Sequence, residues 1–327
     1  MKYRFPFTPF PNGWFRVAAS DELPSGTVKS LHYFGKNLVL FRTEKGIPHI
    51  LDAHCPHLGA NLAYGGKVKG ETIQCPFHGW CFNGEGSCTN IPYANKILPK
   101  ARMHNWQVKE VNGSIFTYYH AEGKPPDWEI PEFPEYTSQD WVPFRAFQRW
   151  QIRSHVQEIN ENGIDIFHAP LVHPQQTKEI ENDGIKVEGS VLRYFINHTY
   201  NLFWAARMAG QEVAGPHEIT YYGLGCAVNR VVVKPMELQY LFMFLSTPID
   251  EEYIELNGVF SMKKVWNEPI TQLLTLKAIR EGRNTISQDI PIWENKAYRN
   301  QPALCDSEGA IAQYRHWASQ FYRGNTS

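Results

Sequence analysis

The chain has almost no net charge, −1 over 327 residues with 32 basic and 33 acidic side chains. Such a balance offers no broad basic field for nucleic acid or an anionic membrane surface, so neither is an expected partner and a small neutral molecule fits better. Long apolar runs are also missing, and no membrane span is expected. The first residues, MKYRFPFTPFPNGWF, lack the continuous apolar stretch a secretory signal requires. Six cysteines are too few for a disulfide scaffold at this length. Two of them stand in Cys-Pro pairs beside histidines, which points to metal-binding cysteine in a reducing, cytoplasmic setting. No G-x-G-x-x-G follows a strand-like segment, so nicotinamide or flavin is not expected to bind here.

What remains is an ordinary globular composition, 43% hydrophobic and 20% charged, with enough chain for two cores. From Gly13 to about Tyr119 short strand-like segments (WFRVA, NLVLFR, HILDA, ETIQC, QVKEV, SIFTYYH) alternate with Gly, Pro and Asn, the pattern of a small all-β domain. The stretch AEGKPPDWEIPEFPEY, crowded with prolines and acidic residues, cannot continue a ladder and reads as a linker. The expected division is therefore 1–121 and 122–327, with 122–136 as linker. Beyond it, FRAFQRWQIRS predicts a strand, SHVQEINENGIDIFH a helix, and residues from about Lys186 to Val265 a series of strands. Two closing helices follow, PITQLLTLKAIREGRNTISQDIPIWENKAY and SEGAIAQYRHWASQFYRG, with apolar residues at helical spacing. The second half is thus α+β, an antiparallel sheet followed by C-terminal helices.

The first chemical constellation is C-x-H-x17-C-x2-H, formed by Cys55, His57, Cys75 and His78, each half followed by glycine at Gly59 and Gly79. Two Cys and two His can hold structural zinc, but here they lie on two loops of a β-rich domain with no finger helix. A [2Fe–2S] cluster with Cys55 and Cys75 on one iron and His57 and His78 on the other fits better. Neutral imidazoles raise its potential and make it a one-electron relay of the Rieske type. Cys81 and Cys88 read as ordinary thiols. In the respiratory Rieske proteins, which the motif resembles, an additional cysteine braces each loop; the position after Gly59 here is Ala60, so that brace is absent.

The second constellation is N-x-x-D-x-x-H-x4-H: Asn162, Asp165, His168 and His173. On a continuous helix the first three are i+3 neighbours, and Pro170 is expected to break the helix so that His173 swings back toward His168. Two histidines plus one carboxylate make the facial triad of non-haem Fe(II) oxygenases. Asp289 is the chosen carboxylate, with Glu281, Glu294 and Asp306 as competitors that spacing alone does not exclude. Asp165 is expected to accept the His168 imidazole N–H and orient the ring, and Asn162 to lie beside it.

Together these motifs resemble the Rieske non-haem iron oxygenases across essentially the whole chain. The phrases CPHLGANLAYGGKVKGETIQCPFHGWCF, SCTNIPY, TYYHAEG, Asp289–Lys296 and RHWASQFY are similar to the branch of 3-ketosteroid 9α-hydroxylase oxygenase components and cholesterol 7-desaturases (Neverland-like). The resemblance implies a helix-grip (Bet v1/START-like) catalytic domain around an apolar tunnel, with Asp289 as third ligand and O2 as co-substrate. It also implies a head-to-tail homotrimer in which Asp165 bridges His168 and His78 of the partner subunit. Cys81 departs from the pattern, standing where a basic or aromatic residue is expected.

The function this implies is that of a terminal oxygenase fed by a ferredoxin, a flavin NAD(P)H reductase, or both. It would hydroxylate, desaturate or oxidatively demethylate a hydrophobic steroid- or sterol-like substrate. A smaller aromatic or alicyclic substrate is the alternative, and a non-catalytic Rieske electron carrier a second, disfavoured by the additional iron site. Phe195, Phe203, Trp204, Met208, Tyr240, Leu241, Phe242, Met243 and Phe260 are the candidate tunnel residues.

Overall fold

The computed structural model describes residues 4–174, 177–200, 213–234 and 236–322. They divide into two compact units, one of residues 12–131 with 249–251, the other of 132–248 and 252–327 together with the segment that ends at Pro11. That opening segment, grouped with the first domain in the sequence reading, thus belongs with the second unit. Arg4 ties it there, donating to the carbonyls of Trp293 (2.8 Å) and Lys296 (2.7 Å).

The first unit is all-β. A six-stranded antiparallel sheet runs in the order β1 (Gly13–Ala19), β10 (Ser114–Tyr119), β9 (Asn105–Val111), β4 (Pro48–Asp52), β3 (Lys36–Arg42), β2 (Val28–Tyr33). A smaller sheet is made of β5 (Lys67–Lys69), β6 (Thr72–Gln74), β7 (Cys81–Asn83) and β8 (Cys88–Asn90). The sequence pattern missed β2, whose VKSLHY alternates weakly because only Leu31 and Tyr33 turn into the core. Val39, Phe41, Leu51, Ile73 and Phe82 form one apolar cluster with Cys55 and Cys75, so the metal-binding candidates stand on a packed floor.

The second unit is a seven-stranded antiparallel sheet in the order β11 (Arg145–Ile152), β17 (Ile254–Met262), β16 (Leu238–Pro248), β15 (Cys226–Val233), β14 (Val213–Tyr222), β13 (Val191–Tyr200), β12 (Thr177–Glu188). The long helix Glu268–Asn295 lays Leu274, Ala278 and Ile279 against Phe147, Tyr240, Phe242 and Phe260 of this sheet. Asn267 caps it, its side chain accepting from the Ile270 N–H at 3.1 Å. The helix Val156–Ile164 is buried along most of its length and is tied to the closing helix Gly309–Ala318 by buried charge. Arg315 donates to both oxygens of Glu161 at 2.6 and 2.7 Å, and Lys296 pairs with Glu158 at 2.8 Å. Removing Arg315 would leave Glu161 buried and unpaired at a cost of roughly 3–5 kcal/mol, so this helix, which carries Asn162, is held firmly. Among the described residues no helix is long and apolar enough to cross a membrane.

Candidate metal centres

Two loops of matched geometry carry the first set of residues. The Cys55 N–H donates to the Ala60 carbonyl at 2.8 Å and the Gly59 N–H to the Cys55 carbonyl at 2.9 Å; Cys75 and Gly79 repeat this with Trp80 and Cys75 at 2.8 and 3.1 Å. Gly59 and Gly79 both take φ of +75°, a conformation open to glycine at little cost, so each turn closes in the same way. Cys55 and Cys75 are buried, whereas His57 and His78 are half-buried with ring centroids 4.7 Å apart. His57 also stacks on Trp80 at 4.5 Å and 7°. Burial pushes the Cys55 thiol up to about 11, against the lowering effect of the His57 backbone N–H and with Cys75 beside it raising it further. Two adjoining buried thiols ionise together only where a cation neutralises them. The donor set fits a [2Fe–2S] cluster with its thiolates inside and its imidazoles toward the surface. Cys81 and Cys88 are buried thiols directed at the carbonyls of Gly79 (3.5 Å) and Asn90 (3.6 Å).

The second set comes from distant parts of the chain. The Asp289 Oδ1 lies 3.2 Å from His173 Nε2 and 3.8 Å from His168 Nε2, and one ligand atom from each of the three fits within 4.8 Å of the others. The far side of each ring is occupied: His173 Nδ1–H donates to Gln288 Oε1 at 2.8 Å, and His168 Nδ1–H to the backbone carbonyl of Asp165. Both Nε2 lone pairs therefore point toward one carboxylate. His173 and Asp289 are only 3% and 2% exposed, yet His173 Nε2 and Asp289 Oδ1 make no aligned hydrogen bond. Leaving a buried polar group unsatisfied costs about 1–3 kcal/mol, and a cation between these atoms would remove that cost. Burial pulls the His173 imidazolium down, but Asp289 and Gln288 outweigh it and leave its pKa raised. Two imidazoles and a carboxylate with open positions suit Fe(II).

The local backbone differs from the expectation. The helix ends at Ile164, and a 3-10 turn, Ile166–His168, starts afresh from Asp165, whose carboxylate accepts the Phe167 N–H at 3.2 Å. Pro170 then sits at the opening of the single turn Ala169–Val172, where its missing N–H is harmless. The break is therefore made by Asp165, and Pro170 begins the next element. As a result the Asp165 carboxylate is 3.9 Å from His168 Nδ1 and its carbonyl takes the bond instead. Asn162 Nδ2 lies 3.2 Å from His168 Nε2. Of the competing acids, Glu294 accepts the Arg153 N–H at 3.3 Å, Asp306 begins an exposed 3-10 turn, and Glu281 lines the cavity described next. Gln288 was missed by sequence reasoning. Its only signal there is a polar neighbour to Asp289.

A cavity of about 290 Å3 opens onto the triad, walled by Ile196, Ile219, Val231, Phe242 and Leu274 and with Asn162, Asp165, His168, His173 and Asp289 at its margin. Strand alternation decides which candidates reach it. Tyr240 and Phe242 do, whereas Leu241 and Met243 are buried on the opposite face of β16. Phe195 carries Lys186 over its ring, and Phe260, opposite Phe242 on the same face, packs against its ring at 4.8 Å in the core rather than lining the cavity. Phe203, Trp204 and Met208 lie outside the described residues.

Comparison with known proteins matches residues 13–117 to the Rieske [2Fe-2S] domain and residues 117–322 to the 3-ketosteroid 9alpha-hydroxylase C-terminal domain. A cholesterol 7-desaturase of Xenopus laevis is 33% identical, covering 97% of this chain and 73% of its own. The oxygenase component of a 3-ketosteroid-9-alpha-monooxygenase of Rhodococcus rhodochrous is 30% identical, covering 96% and 83%. Among solved structures, dicamba monooxygenase bound to dicamba superposes with a TM-score of 0.76 at 18% identity, covering 95% of this chain and 97% of its own, a likeness of fold.

Proposed function

Because the chain belongs to the Rieske oxygenases, in the family of the 3-ketosteroid 9α-hydroxylase oxygenase components, we propose that it oxidises a steroid- or sterol-like substrate in the cavity beside His168, His173 and Asp289. It is an oxidoreductase and the terminal component of its system, drawing electrons from a reductase or ferredoxin partner. Iron held by the triad would supply O2 activation, one oxygen atom entering the product and the other leaving as water with two electrons and two protons. Loss of two hydrogens from the substrate, with both oxygen atoms then leaving as water, gives desaturation instead, and repeated oxidation of a methyl group gives demethylation.

The observation that carries this reading is the pair of buried, unbonded acceptors, His173 Nε2 and Asp289 Oδ1, on the wall of an apolar cavity. Gln288 and the Asp165 carbonyl fix the two rings, and the apolar wall excludes water from the reacting carbon. We further propose a head-to-tail homotrimer, a heterologous ring, in which Asp165 stands between His168 and His78 of the partner subunit. Leu58, Phe77 and Tyr93, 66%, 61% and 61% exposed beside the cluster loops, would be covered in such an assembly. Six cysteines without a disulfide suit the cytoplasm.

The test is turnover with a reductase, ferredoxin and O2 on a panel of steroids, read by mass spectrometry. The expected product gains one oxygen or loses two hydrogens. Coupled turnover of small aromatic acids with none on any steroid would overturn the substrate class.

A further inference from the structure

One wall of the cavity departs from its apolar character. On β14 and β15 the cavity-facing positions read His217, Ile219, Tyr221 and Ala227, Asn229, Val231. Ile219 pairs with Asn229 and His217 with Val231, so His217 and Asn229 are diagonal neighbours on one face, within side-chain reach. Their side chains meet, His217 Nε2 lying 3.0 Å from Asn229 Oδ1. Close by, the Tyr221 hydroxyl donates to the Asn160 carbonyl at 3.0 Å and the Asn160 amide to the Leu224 carbonyl at 3.0 Å, while His198 of β13 stacks on His217 with ring centroids 6.2 Å apart.

The direction of the His217–Asn229 bond follows from the far side of the ring. His217 Nδ1 is buried without a hydrogen-bond partner. A buried N–H without an acceptor is rarer than an underused lone pair, so the ring proton sits on Nε2 and donates to the Asn229 carbonyl oxygen. The Asn229 NH2 group is thereby turned away from His217. Among the described residues no hydrogen bond holds it, and it is not among the buried polar atoms. Two N–H donors thus face the cavity between the apolar side chains of Ile219 and Val231.

We propose that Asn229, held by His217, binds an acceptor oxygen of the substrate, and so selects an oxygenated polycycle over the matching hydrocarbon and sets which carbon reaches the triad. This rests on the steroid reading for the size of the ligand, but its chemistry is that of any alicyclic ketone or alcohol. An apolar slot alone discriminates weakly, whereas a site built to hydrogen-bond rejects an analogue lacking the oxygen, because its donors are then left unpaired. Burial holds the His217 pKa down, near 4, against the raising effect of Asn229. The ring is therefore neutral at neutral pH and donates to Asn229 as an uncharged imidazole.

The test measures dissociation constants of the metal-loaded enzyme for androst-4-en-3-one and for androst-4-ene, which lacks the oxygen. The wild type is expected to prefer the ketone by about tenfold or more. Asn229→Leu should abolish the preference, and His217→Gln, which can still donate to Asn229, should retain most of it. The double variant Asn229→Leu/His217→Phe guards against misfolding, since replacing both partners by apolar groups is far less costly than orphaning one; it too should bind both ligands equally. No preference in the wild type, an undiminished preference in a folded Asn229→Leu or double variant, or its loss in Tyr240→Phe while Asn229→Leu keeps it, would overturn the proposal. If neither steroid binds, the steroid reading fails on its own. The same comparison made with 2-decalone and decalin then decides for or against Asn229 by the same criteria.

Discussion

The two candidate metal centres are built in opposite ways. The first takes Cys55, His57, Cys75 and His78 from two short loops that repeat the same hydrogen bonds and the same glycine conformation. The second takes His168 and His173 from one segment and Asp289 from the long helix that closes the fold, and aims their atoms inward by outer contacts to Gln288 and the Asp165 carbonyl. Local loops suit a cluster that brings its own bulk and most of its own geometry. An iron site that must keep positions open needs tertiary structure to hold its ligands apart from any other partner.

The sharpest way to break the comparison is to remove ligands from one side at a time. His57→Ala or Cys75→Ser should abolish the visible spectrum of the cluster, while His173→Ala leaves that spectrum intact and eliminates turnover. A cluster spectrum unaffected in both of the first two variants would contradict the assignment. On the other side, Asp289→Ala should lose the mononuclear iron and Asp306→Ala retain it, read by metal analysis after gel filtration. The reverse outcome would mean that the carboxylate of the triad is misassigned.

Smaller changes sharpen the contrast. If the His173 ring is oriented by Gln288, Gln288→Leu should weaken iron binding by about 10–100-fold without altering the cluster spectrum, measured by competition with a chelator. Asp165→Asn keeps size and removes charge. Both metals should stay bound and the cluster reduce normally, while single-turnover electron transfer to the mononuclear iron slows by about tenfold, or about 1.4 kcal/mol of barrier. An unchanged rate in the fully metallated variant would remove the bridging role.

The same contrast governs what could be read in advance. The Rieske domain is legible because its signal is local: the spacing, the two Cys-Pro pairs and the closing glycines all fall within a short stretch of residues 13–117. His168 and His173 are legible as a pair, but how they come together is not. Asp165 restarts the backbone by capping a 3-10 turn, a preference that competes with helix continuation and that helical periodicity does not register. Gln288 had no local signal beyond its place next to Asp289, and His217 and Asn229 had none, since they come together only once the long helix and β14–β15 enclose the cavity. The apolar wall was half legible for a simpler reason. On β16 both faces are covered, so Leu241 and Met243 look no different in sequence from Tyr240 and Phe242.

The most direct test of the account is anaerobic quantitation of iron and acid-labile sulfide in the purified chain, wild type beside His173→Ala/Asp289→Ala. The account predicts three iron atoms and two sulfides per chain for the wild type, one iron fewer in the double variant and no change in sulfide. Two irons and two sulfides in a wild type fully loaded with Fe(II), identical in the variant, would contradict the second centre; zinc in place of iron and sulfide would contradict the first.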